Sequence, residues 1–425
     1  MAKFRIKGGN PVHGTFLPRG NKNAVLPMLA ASLLTDQKIT LNNIPLIEDV
    51  GVMLELLSSI GVNVEVNDHT VILEAKNIKL ASLDASLCAK VRTSILLAGP
   101  LSARHGSAKI FPPGGDVIGK RRLDTHFQGL TALGVKIEIS DAYHFSANQL
   151  IGNEIILDEA SVTATENIMM AAVLAQGETV IYNAACEPHV QDLARLLNNM
   201  GANISGIGTN RLIIHGTTTL QGTAYDIQPD YIEIGSFIAA SAVTGGELKI
   251  PHIKDSLPIK VMERSFSQLG IHWSIENEIL YLPKQTNRSA VGDVGSTTPK
   301  IEDGIWPAFP SDLMSVSIVL ATQTKGTVLF FEKMFESRMY FVDHLMSMGA
   351  NIIQCDPHRV VVIGPTKLKG SRLTSPDIRA GMAMLIAACC AEGESLISNA
   401  QVIDRGYESI EDRLSALGVD ISREN

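Results

Sequence analysis

The sequence predicts an α/β protein of six similar βαβαββ-like units, arranged three to a domain. Three observations predict it. First, a helix-ending phrase of an apolar residue, a glycine and a small or branched apolar residue occurs six times: Ile60-Gly61-Val62, Leu133-Gly134-Val135, Met200-Gly201-Ala202, Leu269-Gly270-Ile271, Met348-Gly349-Ala350 and Leu417-Gly418-Val419. These glycines stand roughly 70 residues apart, a period that suits a packed βα unit rather than a solenoid turn. Second, each unit carries an Ala-rich helical run followed by a turn and a short strand. Third, a chain of 425 residues exceeds what one core holds, about 250–300 residues, so six units divide between two domains.

Within a unit the elements follow one order. The Ala-rich helices fall at 24–34, 94–101, 167–174, 235–243, 313–321 and 380–391. They are apolar nearly all round and are therefore expected to be buried. The strands after them are expected at 38–41, 108–110, 178–181, 247–250, 327–330 and 395–397. A second helix, mixing charged with apolar residues, lies on the outside and ends where the glycine takes the left-handed position. Two alternating strands then follow, as at 63–66 and 70–73 around the turn Asn67-Asp68. The pattern returns at 136–139, at 203–204 with 211–214, at 272–275, and at 351–353 with 360–362. The domains are expected at 22–228 and at 1–21 plus 229–425, with chain crossings near Gly20-Asn21 and Gln228-Pro229.

The net charge of −8 argues against a general nucleic-acid binder. Cys88, Cys186, Cys355, Cys389 and Cys390 are odd in number and lack metal-ligand spacing, so they read as reduced thiols. The first residues carry no apolar signal core, and no apolar run approaches the ~18 residues of a membrane span. A cytoplasmic protein without a membrane partner is expected.

The striking charges open the Ala-rich helices: Lys22-Asn23, Arg92, Thr165-Glu166-Asn167, Glu233, Asp312 and Asp377-Ile378-Arg379. Parallel inner helices bring their N-termini to one end of a three-unit domain, and such ends favour anions. Two ends facing each other make a polar cleft. The loops before the outer helices add Gly114-Gly115-Asp116-Val117-Ile118-Gly119-Lys120-Arg121-Arg122, Phe335-Glu336-Ser337-Arg338 and Ile403-Asp404-Arg405-Gly406-Tyr407. In an acidic chain, the clustering of Lys22, Arg92, Arg121, Arg338, Arg379 and Arg405 points to a multiply anionic ligand, such as one with phosphate plus carboxylate. Each feature also has a plainer reading. Asp116 can serve a turn, Asp312 and Asp377 can be N-caps, Lys120-Arg121-Arg122 can be a solvated face, and Asp404-Arg405 can be a surface ion pair. Glu187-Pro188 and Glu233 read as structural, and His126 and His189 as non-catalytic.

Gly20-Asn21-Lys22-Asn23-Ala24, Pro112-Pro113-Gly114-Gly115-Asp116-Val117-Ile118-Gly119, Phe309-Pro310-Ser311-Asp312 and Ile403-Asp404-Arg405-Gly406-Tyr407 together resemble the UDP-N-acetylglucosamine 1-carboxyvinyltransferase family of enolpyruvyl transferases. The likeness runs along essentially the whole chain. It implies a two-domain inside-out α/β barrel. It also implies transfer of enolpyruvyl from phosphoenolpyruvate to the 3-hydroxyl of UDP-N-acetylglucosamine, opening peptidoglycan synthesis without metal or organic cofactor. By resemblance, Lys22, Asn23, Arg121, Arg379 and Arg405 hold phosphoenolpyruvate. Asn23, Arg92, Arg121, Arg122, Leu123, Asp124, Thr125, Ser161, Val162, Asp312, Met334 and Arg338 line the UDP-sugar site. Asp116 is assigned as the acid and Asp312 as the base, with the cations stabilising developing charge. Most members carry Cys where this chain has Asp116. Because a carboxylate is a far poorer nucleophile than a thiolate, alkylation by fosfomycin-type epoxides is expected to fail here. Glu159, Thr163, Leu46 and Glu48 also depart from frequent family choices and bear on how the diphosphate is held. Two other readings fit the same fold: an enolpyruvylshikimate-phosphate synthase-like transferase, and a nucleotide-sugar-binding protein without catalysis.

Overall fold

The computed structural model describes residues 2–79, 83–115, 122–292 and 297–424. The chain divides into two compact units. One holds Gly20–Asp116 and Arg121–Gln228, and the other holds Met1–Arg19 and Pro229–Asn425. They are called here the Lys22 unit and the Asp312 unit. The chain passes between them after Arg19 rather than after Asn21. The reason is local. The Gly20 N–H donates to the Asn43 carbonyl at 3.1 Å and the Asn21 N–H to that of Gln228 at 2.9 Å, which fastens both residues to the Lys22 unit. A Cβ at Gly20 would stand 2.0 Å from the Asn43 oxygen, so only glycine fits this approach.

Each unit is organised around inner helices with their own hydrophobic core. Those of the Lys22 unit are Lys22–Ala31, Ala98–His105 and Val162–Ala172; those of the Asp312 unit are Tyr231–Thr244, Met314–Thr322 and Ile378–Cys390. Met314–Thr322 has no polar face, and all nine residues are buried. Two of its hydroxyls are satisfied within the turn before them, Ser317 donating to the Leu313 carbonyl at 2.8 Å and Thr322 to that of Val319 at 2.7 Å, while Ser315 donates across to the Arg379 carbonyl at 3.1 Å. Hydroxyls that bond back to their own helix can be buried without an orphaned polar group. The helix expected at 94–101 is instead a 3-10 turn, Arg92–Leu97, leading into Ala98–His105. Pro100 has no amide for a continuous α-helical ladder at this point.

Five sheets repeat one four-stranded order, and the remaining sheet shows three strands among the described residues, Ser107–Ile110, Tyr143–Ser146 and Lys136–Ile139. In the first, Thr223–Asp226 runs parallel to Ile39–Asn42, which pairs antiparallel with Thr70–Glu74, and that strand with Asn63–Asn67. In the last, Arg372–Thr374 and Glu394–Ser398 are parallel. The N-terminal strand Lys3–Lys7 then takes the third place and Asp420–Glu424 the fourth. The parallel edge strands, such as Gly14–Thr15, Glu154–Ile156 and Lys300–Glu302, are two to four residues long. They are too short to show a period and were not expected. Strand character expected at 272–275 begins only at Ser274, because the His272 N–H and carbonyl are taken by the Gln285 side chain instead of a partner strand. The six phrase glycines all have positive φ: +98° to +101° at five of them and +73° at Gly270.

Candidate functional site

In the Asp312 unit the starts of all three inner helices converge on one cluster. Asp312 lies in the 3-10 turn Ser311–Leu313 and does not cap the following helix. Its Oδ1 accepts from Arg338 Nη2 and its Oδ2 from Arg379 Nη2, each at 2.9 Å. The two arginine side chains are 4% and 8% exposed while the carboxylate is 25% exposed. The acid is therefore the most exposed member of the trio, and the two cations that grip it show only an edge to the surface.

Arg379 opens the helix Ile378–Cys390, whose N-cap Asp377 accepts the N–H groups of Arg379 and Ala380 at 2.8 and 2.9 Å. Its Nη1 donates to the Tyr407 hydroxyl at 3.2 Å, which lies 2.9 Å from Ser236 Oγ. Ser236 donates its one proton to the Ile232 carbonyl at 2.8 Å, so Tyr407 must be the donor to Ser236. Burial works against the Arg379 charge, yet Asp312 and then Tyr407 and Asp230 hold its pKa above the ordinary arginine value. Burial likewise raises the Tyr407 phenol, against the opposing pull of Arg379.

Arg338 stacks its guanidinium 5.0 Å from the Phe335 ring centroid. Behind it lies Glu332, fully buried. Glu332 Oε1 accepts the N–H groups of Met334 and Phe335, each at 3.1 Å. The Met334 side chain itself is exposed. Arg405 ends the 3-10 turn Ala400–Arg405 and is half-buried. Its neighbour Asp404 turns to Arg423 at 2.6 and 2.8 Å, which replaces the Asp404-Arg405 ion pair considered from the sequence. Glu233 is structural, clamped by Arg413 and by the Arg19 N–H at 2.8 Å.

In the Lys22 unit, Asn21 caps the helix Lys22–Ala31, its Oδ1 accepting from the N–H groups of Asn23 and Ala24 at 2.8 and 3.2 Å. Lys22 Nζ lies 2.8 Å from Asp49 Oδ2, and both side chains are at least nine-tenths buried. Asp49, in the first turn of Glu48–Ser59, was not singled out in the sequence because an acid there reads as ordinary dipole matching. Arg92 Nη2 donates to the Arg122 carbonyl at 3.1 Å. Arg122 pairs with Asp124 at 2.9 Å, both exposed. Thr125 donates to Asp158 at 2.7 Å, and Ser161 caps Val162–Ala172. The side chains of Leu123 and Val162 pack against the hydrophobic core. Both stay half-buried at the edge of that core.

The glycine-rich loop enters against Arg92. A Cβ at Gly114 would stand 1.7 Å from the Ala89 oxygen, and Gly115, at φ +110°, sits with its Cβ position 3.0 Å from Arg92 Cβ. Asp116 and Arg121, assigned from the sequence, lie outside the described residues. Glu166 is buried in the same unit. Burial, with Glu187 adding to it, raises its carboxyl well above the usual range. His126 bridges Thr163 and Asn167, each at 3.1 Å. Among the described residues, no group of three His, Cys, Asp or Glu is placed to hold a metal ion, and no helix is long and apolar enough to cross a membrane.

Residues 6–414 match the model of the family described as EPSP synthase (3-phosphoshikimate 1-carboxyvinyltransferase). The chain is 53% identical over 424 residues to the UDP-N-acetylglucosamine 1-carboxyvinyltransferase of Treponema denticola, covering 99% of each. It is 52% identical to the protein of that name from Bradyrhizobium diazoefficiens, covering 99% of this chain and 98% of the relative. Among solved structures, the enolpyruvyl transferase NikO from Streptomyces tendae superposes with a TM-score of 0.89 at 21% identity, over 100% of this chain and 99% of that one. EPSP synthase from Acinetobacter baumannii superposes at 0.77 and 17% identity, covering 100% of both. These two likenesses establish the enolpyruvyl transferase fold. From the family match and the full-length identity, the chain belongs to the EPSP synthase (3-phosphoshikimate 1-carboxyvinyltransferase) family, among its UDP-N-acetylglucosamine 1-carboxyvinyltransferases.

Proposed function

We propose that this chain transfers the enolpyruvyl group of phosphoenolpyruvate to the 3-hydroxyl of UDP-N-acetylglucosamine and releases phosphate, in the cytoplasm, as the first committed step of peptidoglycan synthesis. The observation that carries the chemistry is Asp312 held by one nitrogen from each of two buried arginines. Each carboxylate oxygen accepts from one guanidinium, and an ionised carboxylate so held is the proposed acceptor of the incoming hydroxyl proton. Two separate grips fix the plane of the carboxylate, so the base is aimed before substrate arrives.

In the proposed reaction Asp116 delivers a proton to the methylene carbon of phosphoenolpyruvate. The sugar 3-oxygen bonds to the central carbon, and the proton of that hydroxyl passes to Asp312. The ketal then carries carboxylate and phosphate on one carbon. The Asp116 carboxylate then takes a proton back from the methyl group as phosphate leaves the central carbon with its bonding pair and with the proton held by Asp312, which restores the double bond. Lys22, Arg121, Arg379 and Arg405 are proposed to hold the phosphate and carboxylate, with Asn23 beside them. Arg92, Arg121, Arg122, Leu123, Asp124, Thr125, Ser161, Val162, Met334 and Arg338 are proposed for the UDP-sugar, with Asn23 and Asp312 beside them. Positioned acid–base groups of this kind contribute about 10²–10⁴-fold each, and fixed cations at developing negative charge contribute on a similar scale.

Identity above 50% over nearly the full length with proteins named for the UDP-sugar favours that acceptor over shikimate 3-phosphate. The test is phosphate release from phosphoenolpyruvate with UDP-N-acetylglucosamine, with shikimate 3-phosphate and with neither. Release is expected in the first arm alone. Release only with shikimate 3-phosphate would move the assignment to the sister reaction, and none in any arm would leave a binding protein.

A further inference from the structure

A second pair of carboxyl groups lies behind Asp312, inside the same unit. The ladder that aligns Lys300, Ile301 and Glu302 with Leu329, Phe330 and Phe331 continues in register to bring Asp303 beside Glu332. Both are fully buried. Asp303 Oδ1 accepts the Lys333 N–H at 2.6 Å, while its Oδ2 is buried with no hydrogen-bond donor. Glu332 is richly supplied. Its Oε1 accepts two backbone N–H groups, and Ser311 Oγ lies 3.0 and 2.9 Å from its two oxygens. Arg338 Nε is 3.9 Å from Oε2.

Two adjacent buried carboxyls cannot both ionise without large repulsion, and a buried acceptor with no donor is costly. One proton removes both difficulties. We propose that Asp303 and Glu332 share a single proton as a Glu332 O–H to Asp303 Oδ2 hydrogen bond, and that the pair positions the Ser311-Asp312 turn and Arg338 for the reaction. Burial, reinforced by the hydrogen bond and charge of Asp303, pushes the Glu332 carboxyl up to about 9, against Arg338 and Ser311. With its proton, Glu332 does not compete with Asp312 for the Arg338 guanidinium. Without it, a buried anion on the far side of Arg338 would draw that fork from the base. The other groups facing the pair are His358, whose Nδ1 lies 2.8 Å from the Glu332 backbone oxygen, and Lys333, whose ammonium is 3.2 Å from Glu302.

The inference deepens the proposed function and, for its catalytic part, rests on it. Glu332→Gln supplies an amide N–H to Asp303 Oδ2 and keeps an oxygen for the Met334 and Phe335 amides. It is expected to retain most of the turnover that Glu332→Ala loses. The alanine variant is expected to fall about 10²-fold in kcat, the scale of a misplaced catalytic group, with KM for phosphoenolpyruvate little changed. A second readout needs no turnover. A carboxyl with a raised folded-state pKa binds more protons folded than unfolded. It therefore makes stability fall as pH rises from about 4.5 towards about 9. The Tm of the unaltered protein should drop over that range relative to Glu332→Gln. Parallel Tm curves would overturn the shared proton. Two further results would overturn the positioning role: Glu332→Ala as active as the unaltered protein, or a folded Glu332→Gln as damaged as the alanine variant. If the unaltered protein releases no phosphate, the proposed function fails, and the Tm comparison still decides the proton.

Discussion

The inner-helix starts of the two units solve the same electrostatic problem differently. In the Asp312 unit a carboxylate is held by two arginines, and one of these is tied in turn through Tyr407 to Ser236 on a third inner helix. In the Lys22 unit the cation is a lysine paired with Asp49 on an outer helix, and Arg92 reaches a loop carbonyl. An arginine fork fixes direction; an ammonium is a point charge on a long stem. Under the proposed function, the difference gives one unit the aiming of a base and the other the supply of positive charge to an anion whose pose the substrate sets.

The largest way to break this contrast is Asp312→Asn. The amide cannot accept the hydroxyl proton and presents N–H groups to one of two guanidiniums. We expect kcat to fall by about 10³-fold, within the range for losing a positioned acid or base. Affinity for phosphoenolpyruvate should change less, and isothermal titration alongside steady-state assays separates the two. Activity within tenfold of the unaltered protein would remove Asp312 from the chemistry. Next in size is the glycine-rich loop of the other unit. With a carboxylate at position 116, treatment with a fosfomycin-type epoxide should leave the intact mass unchanged, whereas Asp116→Cys should gain one adduct per chain, because a thiolate opens an epoxide far faster. Stoichiometric labelling of the unaltered protein would contradict this.

Much of the architecture was legible because it is written six times. The phrase glycines need positive φ, and each stands where an outer helix ends. The parallel edge strands were not legible: two to four residues do not show a period, and their pairing is made by distant segments such as Gly14–Thr15 with Leu248–Ile250. In the site, Asp312, Arg338 and Arg379 could be named because each is a charge at a helix start or loop. Their mutual geometry depends on residues far apart in the chain. Asp49, Ser236, Asp303 and Glu332 were passed over, since their importance comes from burial and cross-strand register rather than residue type. Asp377 looked like an N-cap and is one, while Asp312 had the same appearance and is not.

The Lys22 half is sharpened by Asp49→Asn. The change keeps an oxygen near the ammonium but removes the negative charge of Asp49 in a nearly dry setting. Breaking a buried pair by removing one charge destabilises by roughly 3–5 kcal/mol, so a clear drop in Tm is expected. If Lys22 supplies charge to the anion as proposed, added phosphoenolpyruvate should recover part of that loss by replacing the missing negative charge. A variant as stable as the unaltered protein, with unchanged response to phosphoenolpyruvate, would show that the pair does not set the charge of this unit.

The smallest expected effect tests the Asp312 half. Tyr407→Phe removes one acceptor from Arg379 and one donor to Ser236, both buried. The ring that faces the guanidinium at 5.7 Å remains, so the cation–π contact survives. A hydrogen bond to a charged group is worth about 1.5–3 kcal/mol, and part of that is retained through Arg379 Nη2 on Asp312. We therefore expect a stability loss near the lower end of that range. KM for phosphoenolpyruvate should rise a few-fold, as Arg379 loses one of two supports, while kcat changes little because the carboxylate is still gripped from both sides. Loss of kcat comparable to Asp312→Asn would mean the phenol takes part in proton transfer. The hydroxyl chain from Arg379 to Ile232 would then be a proton path rather than a brace, and the contrast between an aimed base and a receptive cation would need redrawing.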